Sequence, residues 1–218
     1  KGLIEAIRSG DTPVYLHGML SENLYEIGLW IQESHEKPLV LVYADELQAK
    51  NAALNAAEWS SKRVHYYPSR ELHFYNIDAI DDGGERERLR VMAALSEKEP
   101  LILCTTMQAL AEKITTPAGF LRDIVVLEKD GTIDLEKFRE NLVYLRYSQV
   151  TRVESAGDFS IRGGIVDVFP ANEPLPYRIE LFDTEIDSIR TFDIQTQRSV
   201  ESVESVRIGP AKDLLIDR

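Results

Sequence analysis

Cysteine is nearly absent from this chain of 218 residues: Cys104 stands alone. That excludes an internal disulfide and a metal site built from several thiolates. Its neighbours Leu101, Ile102 and Leu103 place it in an apolar strand, as a buried, inert thiol rather than a nucleophile. Long apolar runs are missing too. Stretches such as 39–43 and 101–104 fall far below the roughly 20 residues of a membrane-spanning helix. Positive charge is scarce, with 25 Lys and Arg against 37 Asp and Glu and a formal net charge of −12. A nucleic acid therefore meets a repulsive average field, and sequence-independent binding is disfavoured. His17, His35, His65 and His73 show no i, i+4 pairing with a carboxylate between them, so no metal is expected. With Lys1 at its start and no apolar signal region after it, the chain reads as a piece of a cytoplasmic protein.

With 44% hydrophobic residues, the chain can bury a real core. Residues 1–123 alternate short apolar runs with amphipathic segments, the pattern of an α/β domain with a parallel sheet. Its expected strands are 14–16, 39–43, 64–67 and 101–104, with helices after each. Pro117 is expected to interrupt the last of these helices. Residues 124–208 change grammar. One helix over 135–145 is followed by strands at 150–155, 158–162, 165–169, 177–183, 188–192 and 203–208, punctuated by Gly and Pro turns, which predicts a smaller α+β domain with a mostly antiparallel sheet. Residues 209–218 read as the start of a return towards the first domain.

The run from Val14 to Gly18 ahead of a helix has the layout of a phosphate-binding loop. The working loop is G-x-x-x-x-G-K-[ST], and counting from Gly18 puts Asn23, Leu24 and Tyr25 at the Gly, Lys and Ser/Thr positions. All three are wrong, and Glu22 adds repulsion where an anion would sit. The first domain is therefore expected to be a degenerate P-loop NTPase skeleton, with no cofactor and no catalysis.

The second domain carries V-E-S-A-G-D-F-S-I-R-G-G-I-V-D-V-F-P (153–170) and P-Y-R-I-E-L-F-D-T-E-I-D-S-I-R-T-F-D (176–193). These segments resemble the domain shared by the excision-repair protein UvrB and the N-terminal region of bacterial transcription-repair coupling factors. UvrB keeps an intact G-K-[ST] loop and a long aromatic hairpin after its third strand. This chain has a degenerate loop and only residues 69–84 in that gap, so the resemblance is to the coupling factors. It implies a non-catalytic module that docks onto the repair protein UvrA and brings excision repair to stalled transcription. RNA polymerase and DNA would be contacted through domains outside this chain, and no membrane is involved. The positions matching the family's UvrA-contacting residues are Arg162, Arg178 and Phe182. The alternative is a UvrB-like helicase fragment that binds nucleotide or DNA.

Strand alternation bears on the same residues. In 177–182 it sets Tyr177, Ile179 and Leu181 on one face and Arg178, Glu180 and Phe182 on the other. Arg and Phe together are residue types enriched in protein interfaces. Arg162 joins them if Phe159 and Ile161 point inward. On this reading Arg178, Phe182 and Arg162 stand free and can be replaced at little cost to folding. The plainer alternative pairs Arg178 with Glu180 or Asp183 and packs Phe182 under a loop. For the first domain, millimolar ATP or ADP is expected to leave the melting temperature unchanged in a thermal scan, and a clear rise would mean that the folded chain binds nucleotide.

Overall fold

The computed structural model describes residues 2–10, 13–20, 23–33, 37–60, 63–70, 83–97 and 100–213. The chain divides into two compact units, Lys1–Glu87 with Glu97–Glu112, and Arg88–Ser96 with Lys113–Arg218.

In the first unit, helices α1 (Leu3–Ser9) and α2 (Leu24–Glu33) come before strand β1 (Leu39–Tyr43). Helix α3 (Glu46–Trp59), strand β2 (Arg63–Tyr67), helix α4 (Gly83–Ser96), strand β3 (Leu101–Thr106) and helix α5 (Met107–Ala111) follow. From Arg88 onward α4 belongs to the second unit. Among the described residues the three strands form a parallel sheet in the order β1-β3-β2. The middle strand, β3, is buried at every position, as a continuous apolar run requires when both faces are covered. Helix α3 is opened by Asp45, whose carboxylate accepts the Gln48 N–H at 2.9 Å, an ordinary N-cap. Its buried side is alanine alone, Ala49, Ala52, Ala53 and Ala56, which lets the backbone lie close to Leu41, Ile102 and Cys104. Burial pushes the Cys104 thiol up to about 12, so it carries no thiolate near neutral pH.

The expected first strand at 14–16 is not one. Val14, Tyr15 and Leu16 lie in irregular, exposed chain. Three apolar residues followed by Gly18, at φ +81°, cannot by themselves fix an extended segment. Pro117 also starts a helix rather than interrupting one, since a proline at a first helical position gives up no intrahelical hydrogen bond.

The second unit takes in α6 (Pro117–Arg122), β4 (Val125–Glu128), α7 (Leu135–Tyr144) and β5 (Ser148–Gln149). It continues through β6 (Asp158–Arg162), β7 (Ile165–Val168), β8 (Tyr177–Phe182), β9 (Glu185–Phe192), β10 (Ser199–Val203) and β11 (Ser205–Ile208). A six-stranded sheet runs β10-β9-β8-β7-β6-β5, antiparallel except where β5 meets β6, and β11 leaves it to pair with β4. The expected strand at 150–155 does not form; strand pairing ends at Gln149, with β5. The Asp158 carboxylate takes the N–H groups of Glu154 and Ser155, curling that segment into a turn, while Val153 drops into a small cluster with Phe169 and Phe192.

The inner face of the sheet supplies Phe159, Val166, Val168, Ile179 and Ile189 to the main core, which is closed by Phe138, Leu142 and Leu145 around α7. These are one strand phase each, as alternation demands. Ile179 sits mid-strand, opposite Val166 and Ile189, and is fully buried. Ile179→Ala is expected to cost about 2 to 5 kcal/mol of folding free energy in denaturant titration; a loss below about 1 kcal/mol would mean that this face collapses around the cavity.

Candidate functional site

The opposite phase of the same strands gathers charge. Register sets Asp167 of β7 directly between Ser160 of β6 and Arg178 of β8, and Arg178 opposite Arg190 of β9. Asp167 is 1% exposed. Its Oδ1 accepts Arg178 Nε at 2.7 Å, and its Oδ2 accepts Arg178 Nη2 at 2.9 Å and Arg162 Nη2 at 2.7 Å. Two guanidiniums thus share one buried carboxylate, one of them through the bidentate fork that arginine alone offers. The Asp167 hydrogen bonds raise the Arg178 guanidinium further above its ordinary range. Arg178 Cζ also lies 4.7 Å over the Phe192 ring, within cation–π range. Beside this trio Glu180 pairs with Arg190 and accepts Ser188 Oγ at 3.2 Å.

The rim of the face is apolar. Phe182 is 80% exposed, and Ile165 is partly exposed at the turn joining β6 to β7. That turn is Gly163 at φ +59°, which favours glycine, and Gly164. A Cβ on Gly164 would meet the Leu181 carbonyl at 2.9 Å, and the Leu181 N–H donates to the Gly164 carbonyl at 2.7 Å. The pair of glycines therefore brings Phe182 to the end of the strand that carries Arg162.

The structure joins Arg162 and Arg178 through Asp167 and sets Phe182 at the rim of the same face. The expectation that Arg178 stands free is corrected. Its side chain is only 19% exposed and committed to Asp167, because the oxygens of a buried carboxylate need donors in place of water and Arg178 lies directly opposite them. Neither Glu180 nor Asp183 is the partner: Glu180 is taken by Arg190, and Asp183 lies in the turn after β8 at φ +57°. Asp167 itself escaped the sequence reading. The signal was an Asp between two valines at the outward phase of a strand, but its arginine partners follow only from cross-strand register, which a single sequence does not state.

At the other site, Gly18 is in exposed chain with open space around it. Asn23 donates its N–H to the Leu20 carbonyl at 3.0 Å, while Leu24 and Tyr25 pack on the first unit's core. Where β2 and β3 end, the edge at which α/β sheets receive ligands, the chain supplies its own anions. Glu46 accepts hydrogen bonds from Tyr66 Oη, from Thr106 Oγ1 at 2.9 Å and from the Ser69 N–H at 3.1 Å. Glu112 accepts the Arg70 N–H at 2.9 Å. Burial alone would raise the Glu46 carboxyl, but the hydrogen bonds from Tyr66, Ser69 and Thr106 outweigh it and hold it below its ordinary value. Among the described residues no group of His, Cys, Asp and Glu is placed to hold a metal ion, and no helix is long and apolar enough to cross a membrane.

Residues 125–214, which contain the charged sheet face, match the UvrB interaction domain family. That segment belongs to the family. Along almost its whole length the chain is also similar to proteins named transcription-repair-coupling factor. The relative from Bacillus subtilis (strain 168) is 30% identical over 217 residues, 99% of this chain and 18% of that protein. In Staphylococcus aureus the USA300 protein is 34% identical over 177 residues, 81% of this chain and 15% of its own length. The MRSA252 protein is 40% identical over 156 residues, 71% and 13% respectively. The chain spans less than a fifth of the length of these relatives.

Within this UvrB interaction domain the exposed and committed residues should respond differently to mutation. Phe182→Ala is expected to change folding free energy by no more than about 0.5 kcal/mol, as for any solvent-facing side chain. Arg178→Glu, which sets a second carboxylate against buried Asp167, is expected to cost about 3 to 5 kcal/mol. Chemical denaturation of both variants checks this, and a Phe182→Ala protein that melts like Ile179→Ala would put Phe182 in the core.

Proposed function

We propose that the outer face of β6 to β9 docks this chain onto the repair protein UvrA. The chain then acts as a non-catalytic adaptor that brings nucleotide excision repair to stalled transcription. One observation carries the reading: within a UvrB interaction domain, a phenylalanine 80% exposed to water shares a rigid sheet with a half-exposed arginine. An exposed aromatic and a tethered arginine on one sheet face are the residue types enriched in binding hot spots. Arg162, Arg178 and Phe182 are the proposed contact set.

The resemblance to transcription-repair-coupling factors supports placing the docking act in transcription-coupled repair. Contacts with RNA polymerase and DNA, and any ATP-driven motor, are assigned to parts of the parent protein outside this chain. The first unit is read as the degenerate skeleton of a nucleotide-binding domain. Supporting that reading, Leu24 stands where the phosphate-binding lysine would be and is committed to packing, and Glu46 and Glu112 occupy backbone N–H donors at the ligand edge of the sheet. Those carboxylates speak against the rival reading of a nucleotide-binding helicase fragment, and the net charge of −12 speaks against DNA as the ligand.

The deciding experiment titrates purified UvrA against the chain and its Arg162→Glu and Phe182→Ala variants, each checked for folding by circular dichroism. Both variants are expected to lose at least about tenfold in affinity, the effect of removing one central anchor. Normal binding by both folded variants would place the docking site elsewhere.

A further inference from the structure

The three proposed contact residues are not equivalent. Arg178 has its Nε and Nη2 on Asp167 at 2.7 and 2.9 Å. Its Nη groups reach the carbonyl and side-chain oxygens of Gln197 at 3.5 and 3.4 Å. Its flat face lies on Phe192. The fork that would grip a partner's carboxylate is used up inside the chain. Arg162 is the reverse case. It gives Nη2 to Asp167 at 2.7 Å, its side chain is 52% exposed, and among the described residues its Nε and Nη1 make no hydrogen bond. Among the described residues, Asp167 is the one group hydrogen-bonded to both.

We propose that Asp167 is a positioning residue for docking, held in place by Arg178, and that it presents the outward edge of Arg162 to an oxygen acceptor on the partner while Phe182 supplies the apolar contact. This rests on the docking function proposed above. A free arginine at a strand end samples many rotamers, and a partner must freeze them on binding. Tethered by one nitrogen to a buried carboxylate, Arg162 is ordered beforehand, so less of the contact energy is lost to ordering. Arg178 completes the device because Asp167, at 1% exposure, has lost the water that would otherwise satisfy its oxygens. Two bonds from Arg178 fix both of its oxygens. Arg178 thus contributes to docking chiefly through Asp167, its own fork being engaged within the chain.

A double-mutant cycle in the full chain tests this, with purified UvrA as the titrant and the temperature held well below the melting point of the weakest variant. Asp167→Asn keeps the size of the side chain and removes the charge that draws both guanidiniums. It is expected to weaken UvrA binding about tenfold when Arg162 is present and less than about twofold when Arg162 is already Ala, because the lost effect runs through that side chain. Phe182→Ala should weaken binding by the same factor in both backgrounds. A purely structural role for Asp167 gives another pattern, with a lowered melting point but either unchanged affinity or the same loss whether or not Arg162 is there, and either result overturns the proposal. If Asp167→Asn does not fold, Arg178→Lys replaces it in the cycle, since lysine keeps the charge beside Asp167 but not the fork; the same non-additivity with Arg162→Ala is then required. The two readings fail separately. If Arg162→Ala and Phe182→Ala both bind UvrA as the unaltered chain does, the docking function itself falls. If they weaken binding and Asp167→Asn does not, only the positioning role falls.

Discussion

A carboxylate taken almost wholly out of water needs hydrogen-bond donors or cations in place of the water it has lost, and Asp167, 1% exposed, sets that demand at the middle of the second unit's sheet. Two arginines from the strands on either side meet it. That single requirement fixes Arg178 against the sheet, draws Arg162 inward by one nitrogen and leaves Phe192 as the floor beneath a guanidinium. The inner face works by shape and burial, and the outer face by charge. The six-stranded sheet in this unit therefore packs its core on one side and gathers its charged network on the other.

Much of this could be read from residues alone. The split between a parallel α/β part and a mostly antiparallel part follows from the change from continuous apolar runs, as in β3, to period-two alternation, as in β8. The inward phase of Ile179 and the outward phase of Phe182 follow from the same rule. What escaped was set by partners distant in sequence. Register decides that Arg178 meets Asp167 rather than Glu180. The strand expected at 150–155 failed because Asp158 captures two backbone N–H groups a few residues upstream, a local competitor that alternation does not weigh. The strand expected at 14–16 had only three apolar residues and, among the described residues, no strand pairs with it. The edge strands β4 and β10 went unread because half-exposed strands such as β10 carry a weak apolar signal.

The first unit repeats the theme of self-supplied charge. The donors at the end of a parallel sheet that could hold a phosphate are answered here by Glu46 and Glu112, groups from the same chain. A ligand would have to displace carboxylates already bonded to backbone and hydroxyl groups, including one held below its ordinary pKa. Repulsion and occupation act together at that edge.

Pairing of β4 with β11 sets Val125 directly opposite Ile208, so the entry and exit of the segment 125–208 lie side by side in one two-stranded ribbon. The Ala211 N–H reaches back to the Leu145 carbonyl at 2.8 Å, and Asp213 is anchored by Arg88 at 2.6 Å. A domain whose two ends meet behaves as a cassette. It can be inserted into a host chain at one point, as a closed loop, without pulling the host's flanking residues apart or opening its own sheet. Such a seam closes the sheet's own connections on themselves, so that the direction taken by the flanking chain need not alter its strand pairing.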